Sequence, residues 1–219
     1  MITTISIDGN IGSGKSTILD FLKEYFKNNN KVIFLDEPVN EWNTIKDENN
    51  KTILEKFYEN QKKYSFAFQM MAFISRLSIL KDAIEKNKDE KDIIIITERS
   101  LDTDRHIFAK MLYDQGKMEK IEYDIYLKWF DSFSKISVIQ KIIYMKTYPK
   151  ICFDRVNKRN RMGESNISID YLIDCNKYHE EMISKIKDNI LIIDSNIDTV
   201  INPNINTIWI EKINQFIFE

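Results

Sequence analysis

The sequence predicts a doubly wound α/β fold, a five-stranded parallel sheet with helices on both faces, and three observations lead there. Short apolar runs alternate along the chain with longer stretches whose apolar residues recur at helical spacing. Those short runs are apolar nearly throughout instead of alternating with polar residues, as in strands buried on both faces. The length of 219 residues, with 43% hydrophobic and 30% charged, suits one domain with a full core. No repeat, low-complexity linker or Pro/Gly-rich boundary divides the chain, so 1–219 is expected to be a single domain.

Taken in order, Ile2 to Ile7 is the first strand, and Ser16 to Phe26 places Ile18, Leu19, Leu22, Tyr25 and Phe26 on one helical face. Val32 to Leu35 is the second strand, stopped by Asp36-Glu37-Pro38. Helical spacing returns over Leu54 to Tyr58 and Phe66 to Ile84, before a third strand at Ile93 to Thr97. Helices fit Arg105 to Tyr113 and Tyr123 to Phe133, and a strand fits Val138 to Met145. The last elements are helices at Lys150 to Lys158 and Ile169 to Ile186, a fifth strand at Ile190 to Ile193, and a closing helix at Ile205 to Phe218.

Composition narrows the function classes. With 32 Lys+Arg against 34 Asp+Glu, a net charge of -2 and a pI near 5.9, nothing suggests a nucleic-acid-coating protein. Apolar runs such as Ile93 to Ile96 fall far below the roughly 20 residues of a membrane span. Met1 to Asp8 lacks a basic region followed by a long apolar one, so the chain is expected to stay in the cytoplasm. Cys152, Cys175, His106 and His179 form no ligand set at zinc-site spacing, and a disulfide scaffold is not expected. The counts of 38 Ile, 26 Lys and 20 Asn against 4 Ala point to an AT-rich genome.

The strongest chemical signal is Gly9-Asn10-Ile11-Gly12-Ser13-Gly14-Lys15-Ser16, followed by Thr17, which satisfies every constrained position of G-x-x-x-x-G-K-[ST] between the first strand and first helix. Glycines let backbone N–H groups turn inward around a phosphate, and the helix N-terminus adds a favourable dipole. Lys15 reaches the transferring phosphate and Ser16 can ligate Mg²⁺. GTPases, motor ATPases and small-molecule kinases share this loop, but the DxxG and NKxD signatures of GTPases are missing. Instead Glu37-Pro38-Val39-Asn40-Glu41-Trp42 follows the second strand and Glu98-Arg99-Ser100 the third. Both strands are expected to neighbour the P-loop strand, placing these residues in the crevice where α/β sheets bind ligands. A carboxylate there can accept a proton from an attacking hydroxyl, and the arginine can hold phosphates.

With these residues in place, the chain resembles the deoxyribonucleoside kinases of the deoxycytidine, deoxyguanosine and deoxyadenosine kinase type, a family with cellular and viral members. The resemblance runs from Ile5 to about Asp194 in unbroken motif order. It rests on the P-loop, the EPVxxW segment, Tyr64-Ser65-Phe66-Ala67-Phe68-Gln69, Glu98-Arg99-Ser100 with Asp104 and Phe108, and a lid-like Arg155 to Arg161 with Glu164. Departures are Gly163, where many members carry a second lid acid, and the stretch beyond Asn196, where little matches.

The resemblance implies roles that the chemistry of each residue can bear. Glu37 would hold the nucleoside 5′-hydroxyl and act as general base, Glu98 would join Ser16 at Mg²⁺, and Arg99 would contact the 5′ oxygen and incoming phosphoryl group. Tyr58 and Glu164 fall where the family grips the sugar 3′-hydroxyl. Gln69, an amide on a helix otherwise lined by Phe66, Phe73 and Leu77, requires a partner, which the family supplies as the base edge. Trp42, Leu54, Phe57, Phe68 and Phe108 match the apolar walls around that base. Arg76, two turns beyond Gln69, and Asp104 match the pair carried by members that prefer deoxycytidine or purine deoxynucleosides to thymidine. Arg155, Arg159 and Arg161 of an Arg-rich lid, about residues 155–166, would face the donor phosphates.

The expected reaction is transfer of the γ-phosphoryl of ATP or another NTP to the 5′-hydroxyl of a 2′-deoxynucleoside. Thymidylate kinase shares the loop, but its acceptor phosphate needs no base such as Glu37. A non-catalytic nucleotide-binding regulator would show a lesion among Lys15, Ser16, Glu37, Glu98 or Arg99, and all are intact. A homodimer packed through helices is a further implication of the family, with the apolar Tyr123 to Phe133 contributing.

Overall fold

The structure, a computed structural model, describes residues 1–136, 138–161, 163–197 and 204–219. The expected lid thus includes one position, 162, outside the described residues. Strands β1 (Ile2–Asp8), β2 (Val32–Leu35), β3 (Ile93–Glu98), β4 (Lys141–Lys146) and β5 (Ile190–Asp194) form one parallel sheet in the order β2-β3-β1-β4-β5. β1 pairs with β3 from Ile2 opposite Ile93 to Ile7 opposite Glu98, which brings the P-loop and Glu98-Arg99 to the same sheet edge.

This order corrects one expectation. β3 neighbours the P-loop strand, but β2 pairs only with β3 and lies at the edge of the sheet. The physical reason lies in burial: all six residues of β3 are buried and need cover from both sides, whereas only Val32 of β2 is buried. Glu37 nevertheless reaches the crevice, because Pro38 opens a short unforeseen helix, α2 (Val39–Trp42), whose Trp42 N–H donates to Pro38 O at 3.2 Å.

The remaining helices are α1 (Lys15–Tyr25), α3 (Ile53–Glu59), α4 (Gln61–Lys86), α5 (Leu101–Thr103), α6 (Lys110–Asp114), α7 (Lys120–Phe133), α8 (Pro149–Arg159), α9 (Ile169–Ile183) and α10 (Asn204–Phe218). A π-helical stretch, Asp104–Ala109, joins α5 to α6, so the helix expected from Arg105 starts earlier, where the Ser100 hydroxyl accepts from Thr103 N–H at 3.1 Å. α9 ends before the expected Ile186, since the N–H groups of Lys185 and Ile186 turn back to the carbonyls of Met182 and Ile183. β4 starts at Lys141 instead of Val138, whose side chain is exposed and lies ahead of the first pairing with β1. A capping box unread in the sequence, Thr52 with Glu55, starts α3.

Alternation along the strands sends apolar side chains to both faces of the sheet. Ile5, Ile7, Ile143 and Met145 pack with Leu19 and Leu22 of α1 and with Trp209 and Ile213 of α10. Tyr144, between Ile143 and Met145, turns to the opposite face, beside Phe108, Cys152, Leu172 and Cys175. Each fully buried leucine or isoleucine contributes about 1.5–3 kcal/mol, so the crevice at the carboxyl ends of the strands stands on a rigid base.

Candidate active site

A cavity of about 420 Å³ opens at that edge, with the P-loop at one end and the helices α2 to α4 at the other. At the P-loop end Ile11, Gly12, Gly14, Lys15, Ser16 and Thr17 line the cavity. Gly9, Asn10 and Ser13, also expected at the nucleotide, do not: Asn10 turns its amide into the protein to donate to Leu172 O at 2.8 Å, and Ser13 is fully buried. Gly12 has φ +80°, and a Cβ there would lie 2.5 Å from Cys152 O, so both the turn and the close approach to α8 require glycine. Lys15 Nζ donates to Asn10 O at 2.8 Å, and burial, with Arg99 nearby, lowers its pKa to about 7.

Ser16 Oγ donates to Glu98 Oε1 at 2.9 Å. A hydroxyl and a single carboxylate side by side are hard oxygen donors, and among the described residues no group of three or more His, Cys, Asp or Glu side chains forms a cage. That donor set fits Mg²⁺, which keeps waters and takes substrate phosphates as ligands.

Glu37 occupies the middle of the cavity. Its Oε1 lies 3.2 Å from Arg99 Nε and accepts from Arg76 Nη2 at 3.2 Å. Burial pushes its pKa up, but Arg99, Arg76 and Lys15 outweigh that and hold it down to about 2. Arg99 adopts φ +67°, a left-handed conformation uncommon for an arginine, and its N–H donates to Ile7 O at 3.0 Å while Thr97 Oγ1 donates to its carbonyl at 2.7 Å. Its Nη1 donates to Gly9 O at 2.8 Å, and the guanidinium lies 4.9 Å from the centroid of the Phe108 ring.

Behind Phe108 stands His179, which sequence reasoning assigned no role. Its Nδ1 donates to Cys175 O at 2.7 Å, its ring stacks on Tyr144 at 6.1 Å and meets Phe108 edge-on at 6.3 Å. Burial, with Arg99, lowers its pKa to about 3, so it is a neutral packing element at pH 7.

The far end is an aromatic slot. Phe57 stacks on Phe68 at 4.7 Å, Trp42 meets Phe68 edge-on at 5.3 Å, and Trp42 Nε1 donates to Ser75 Oγ at 2.9 Å. Leu54 and Ala72 complete this wall. The face of α4 differs from the one read in the sequence: Phe66, Phe73 and Leu77 pack toward α7, while Phe68, Gln69, Ala72 and Arg76 line the cavity. Gln69 is 2% exposed, and among the described residues its side-chain amide has no hydrogen-bond partner. Arg76 Nε donates to Asp104 Oδ2 at 2.9 Å and Nη1 to Glu98 O at 2.7 Å.

Between slot and P-loop lie Tyr58, Glu164 and the arginines of the expected lid. Burial, with the Glu164 charge nearby, raises the pKa of the Tyr58 hydroxyl, and its ring meets Tyr171 edge-on at 6.1 Å. Arg159 is paired with Glu164, Arg161 Nη1 lies 3.6 Å from Glu164 Oε1, and Arg155 Nη2 donates to Ile197 O at 3.2 Å. Tyr171 and Trp209 also line the cavity but went unread, and Ser195, which the sequence places only within a segment, Leu191 to Asn196, resembling the family's last strand and donor-base loop, lines it too. Each sits within an apolar or polar pattern that marks only an element, and nothing local distinguishes it. Together the cavity offers an anion end, a carboxylate between two guanidiniums, and a slot for a planar group with one unsatisfied amide.

A sequence model of the family described as deoxynucleoside kinase matches residues 5–218. The chain is 36% identical over 184 residues to the "probable deoxycytidine kinase" of fowlpox virus, covering 83% of this chain and 72% of that one. It is 30% identical over 199 residues to the mitochondrial deoxyguanosine kinase of Xenopus laevis (84% and 74%) and 32% identical over 199 residues to human deoxycytidine kinase (83% and 75%).

Proposed function

Because the chain belongs to the deoxynucleoside kinase family and is a kinase that takes its phosphoryl group from a nucleotide donor, we propose that it transfers the γ-phosphoryl of ATP, with Mg²⁺, to the 5′-hydroxyl of a 2′-deoxynucleoside, preferring deoxycytidine or purine deoxynucleosides to thymidine. The observation that carries this reading is Glu37, ionised between Arg99 and Arg76 and facing the cavity beside the P-loop. The thymidylate kinase and regulator alternatives have no use for such an acid.

In this reading Lys15, the P-loop N–H groups and the arginines 155, 159 and 161 hold the donor phosphates, while Ser16 and Glu98 would hold Mg²⁺. The ion supplies charge neutralisation on the phosphoryl oxygens. Tyr58 and Glu164 grip the sugar, and the Phe57–Phe68 stack, Trp42, Leu54 and Phe108 sandwich the base. Glu37 accepts the proton of the 5′-hydroxyl as the oxygen attacks. A carboxylate held near 2 is a weak base while three cations surround it. Donor phosphates that draw charge from Lys15 and Arg99 raise its basicity at the moment of transfer.

Base choice follows from Gln69, Arg76 and Asp104. An acid fastened by Arg76 can accept from the exocyclic amino group of cytosine or adenine, whereas thymine offers a carbonyl and a methyl. Guanine, with a carbonyl at that edge, can be met through Arg76.

Two further readings belong to the proposal. α4 and α7 leave Ile74, Ile121, Ile125 and Trp129 exposed, an apolar face suited to a second copy of the chain. Among the described residues no helix is long and apolar enough to cross a membrane, and the proposed site of action is the cytoplasm, that of the host cell if the chain is viral. The test is a phosphate-transfer assay with ATP and Mg²⁺ across the four natural deoxynucleosides; phosphorylation of none of them would overturn the reading.

A further inference from the structure

Arg159 and Glu164 meet at the boundary between the two ends of the cavity. Arg159 Nε donates to Glu164 Oε2 and Nη2 to Oε1, both at 2.7 Å, an edge-to-edge pairing that fixes the plane of the guanidinium as well as its position. The Glu164 side chain is 7% exposed against 32% for Arg159, so the acid is the anchored member. Among the described residues the remaining nitrogen, Nη1, donates no hydrogen bond, which leaves one edge of the guanidinium open. The charge of Arg159 is felt at Lys15 and that of Glu164 at Tyr58. One ion pair therefore reaches from the phosphate end to the sugar end.

We propose that Glu164 is a positioning residue for phosphoryl transfer: by clamping one edge of Arg159 it aims the other edge at the donor phosphates, independently of any contact it makes with the sugar. This rests on the kinase reading above. An unclamped arginine loses its rotamer freedom only on meeting the phosphoryl group, whereas a clamped one is already oriented.

An acceptor without a 3′-hydroxyl separates the two roles. Turnover of 2′,3′-dideoxycytidine and deoxycytidine with ATP is measured for the unmutated protein, Glu164→Gln, Arg159→Lys and the double variant. If Glu164 served only the 3′-hydroxyl, Glu164→Gln would leave dideoxycytidine turnover unchanged. Positioning instead predicts that Glu164→Gln lowers kcat on dideoxycytidine about tenfold or more, raises KM for ATP, and leaves KM for dideoxycytidine within about twofold. It also predicts that the double variant is little worse than Arg159→Lys alone, because both changes break one contact. As a measure independent of turnover, calorimetry with adenylyl imidodiphosphate and no nucleoside should show binding weakened about fivefold or more in Glu164→Gln. Should that variant not fold, Arg159→Lys at the more exposed partner must show the same kcat loss on dideoxycytidine. Native dideoxycytidine turnover in these variants, or effects that simply add, would overturn the proposal alone; an unmutated protein that phosphorylates none of the four natural deoxynucleosides overturns the kinase reading with it.

Discussion

Arg76 Nε donates to Asp104 Oδ2 at 2.9 Å with the two side chains only 4% and 3% exposed, joining the middle of α4 to the π-helical stretch that follows β3. The same guanidinium donates to Glu98 O at 2.7 Å and to Glu37 Oε1 at 3.2 Å, so the proposed base-reading pair and the proposed general base share one cation. Removing Asp104 alone would leave a buried charge half-paired, which is costly.

For selectivity, deoxycytidine and at least one purine deoxynucleoside should be phosphorylated much faster than thymidine. The double change Arg76→Met, Asp104→Ala should move the ratio of kcat/KM values toward thymidine. Because Arg76 also orients Glu37, total turnover of that variant should fall by about tenfold or more. Steady-state kinetics on the four nucleosides decides it: thymidine as best substrate of the unmutated protein removes this role from Arg76 and Asp104.

Glu37→Gln keeps a hydrogen-bonding oxygen at the 5′-hydroxyl but no proton acceptor, so kcat should fall about 10²-fold or more with nucleoside affinity largely kept. Near-native kcat in this variant would reassign the base.

The Arg99, Arg76 and Lys15 charges that hold the Glu37 pKa near 2 can be checked directly. In ¹³C-glutamate-labelled protein, the carboxyl signal lost in Glu37→Gln should not titrate between about pH 7 and 4, where an ordinary glutamate is well into its transition. Since the folded value lies below the ordinary 4.5, the ionised acid adds stability above that pH and gives it up as pH falls toward 2. A midpoint near 4.5 would show that the surrounding cations do not act on Glu37 as their geometry implies.

Gly12→Ala places a Cβ 2.5 Å from Cys152 O at a left-handed φ of +80°. Backbone strain of this kind amounts to about 1–3 kcal/mol, or roughly 2–12 °C in Tm for a chain of this size. Donor binding should be lost with the shape of the loop. A variant with unchanged Tm and unchanged ATP affinity would show that the loop can move off α8.

For assembly, the unmutated protein should sediment as a dimer and Ile125→Asp with Trp129→Glu as a monomer, because each charge would be buried in the apolar face. A monomer at all concentrations for the unmutated chain would return that face to solvent.

The P-loop, the order of strands and helices, and the acids and arginines after the second and third strands could be read along the chain, because each is a local pattern: glycine spacing, apolar runs, helical periodicity. Which strand lies beside which could not. β2 at the edge and β3 inside the sheet, between β2 and β1, follow from how completely each is covered, a property of the packed sheet. The same holds for α4, a helix apolar around most of its circumference, where periodicity alone could not say that Phe66 and Leu77 face α7 while Gln69 and Arg76 face the cavity. Tyr171, Ser195 and Trp209 come to the site from α9, the end of β5 and α10, far along the chain from the P-loop. Local sequence determined the glycine-rich loop and the acid that follows the second strand. Only the tertiary structure decided that Arg76 serves three acceptors and that Arg159 is clamped by Glu164, because the direction of a long charged side chain is set by what surrounds its head group and not by the residues beside it in sequence.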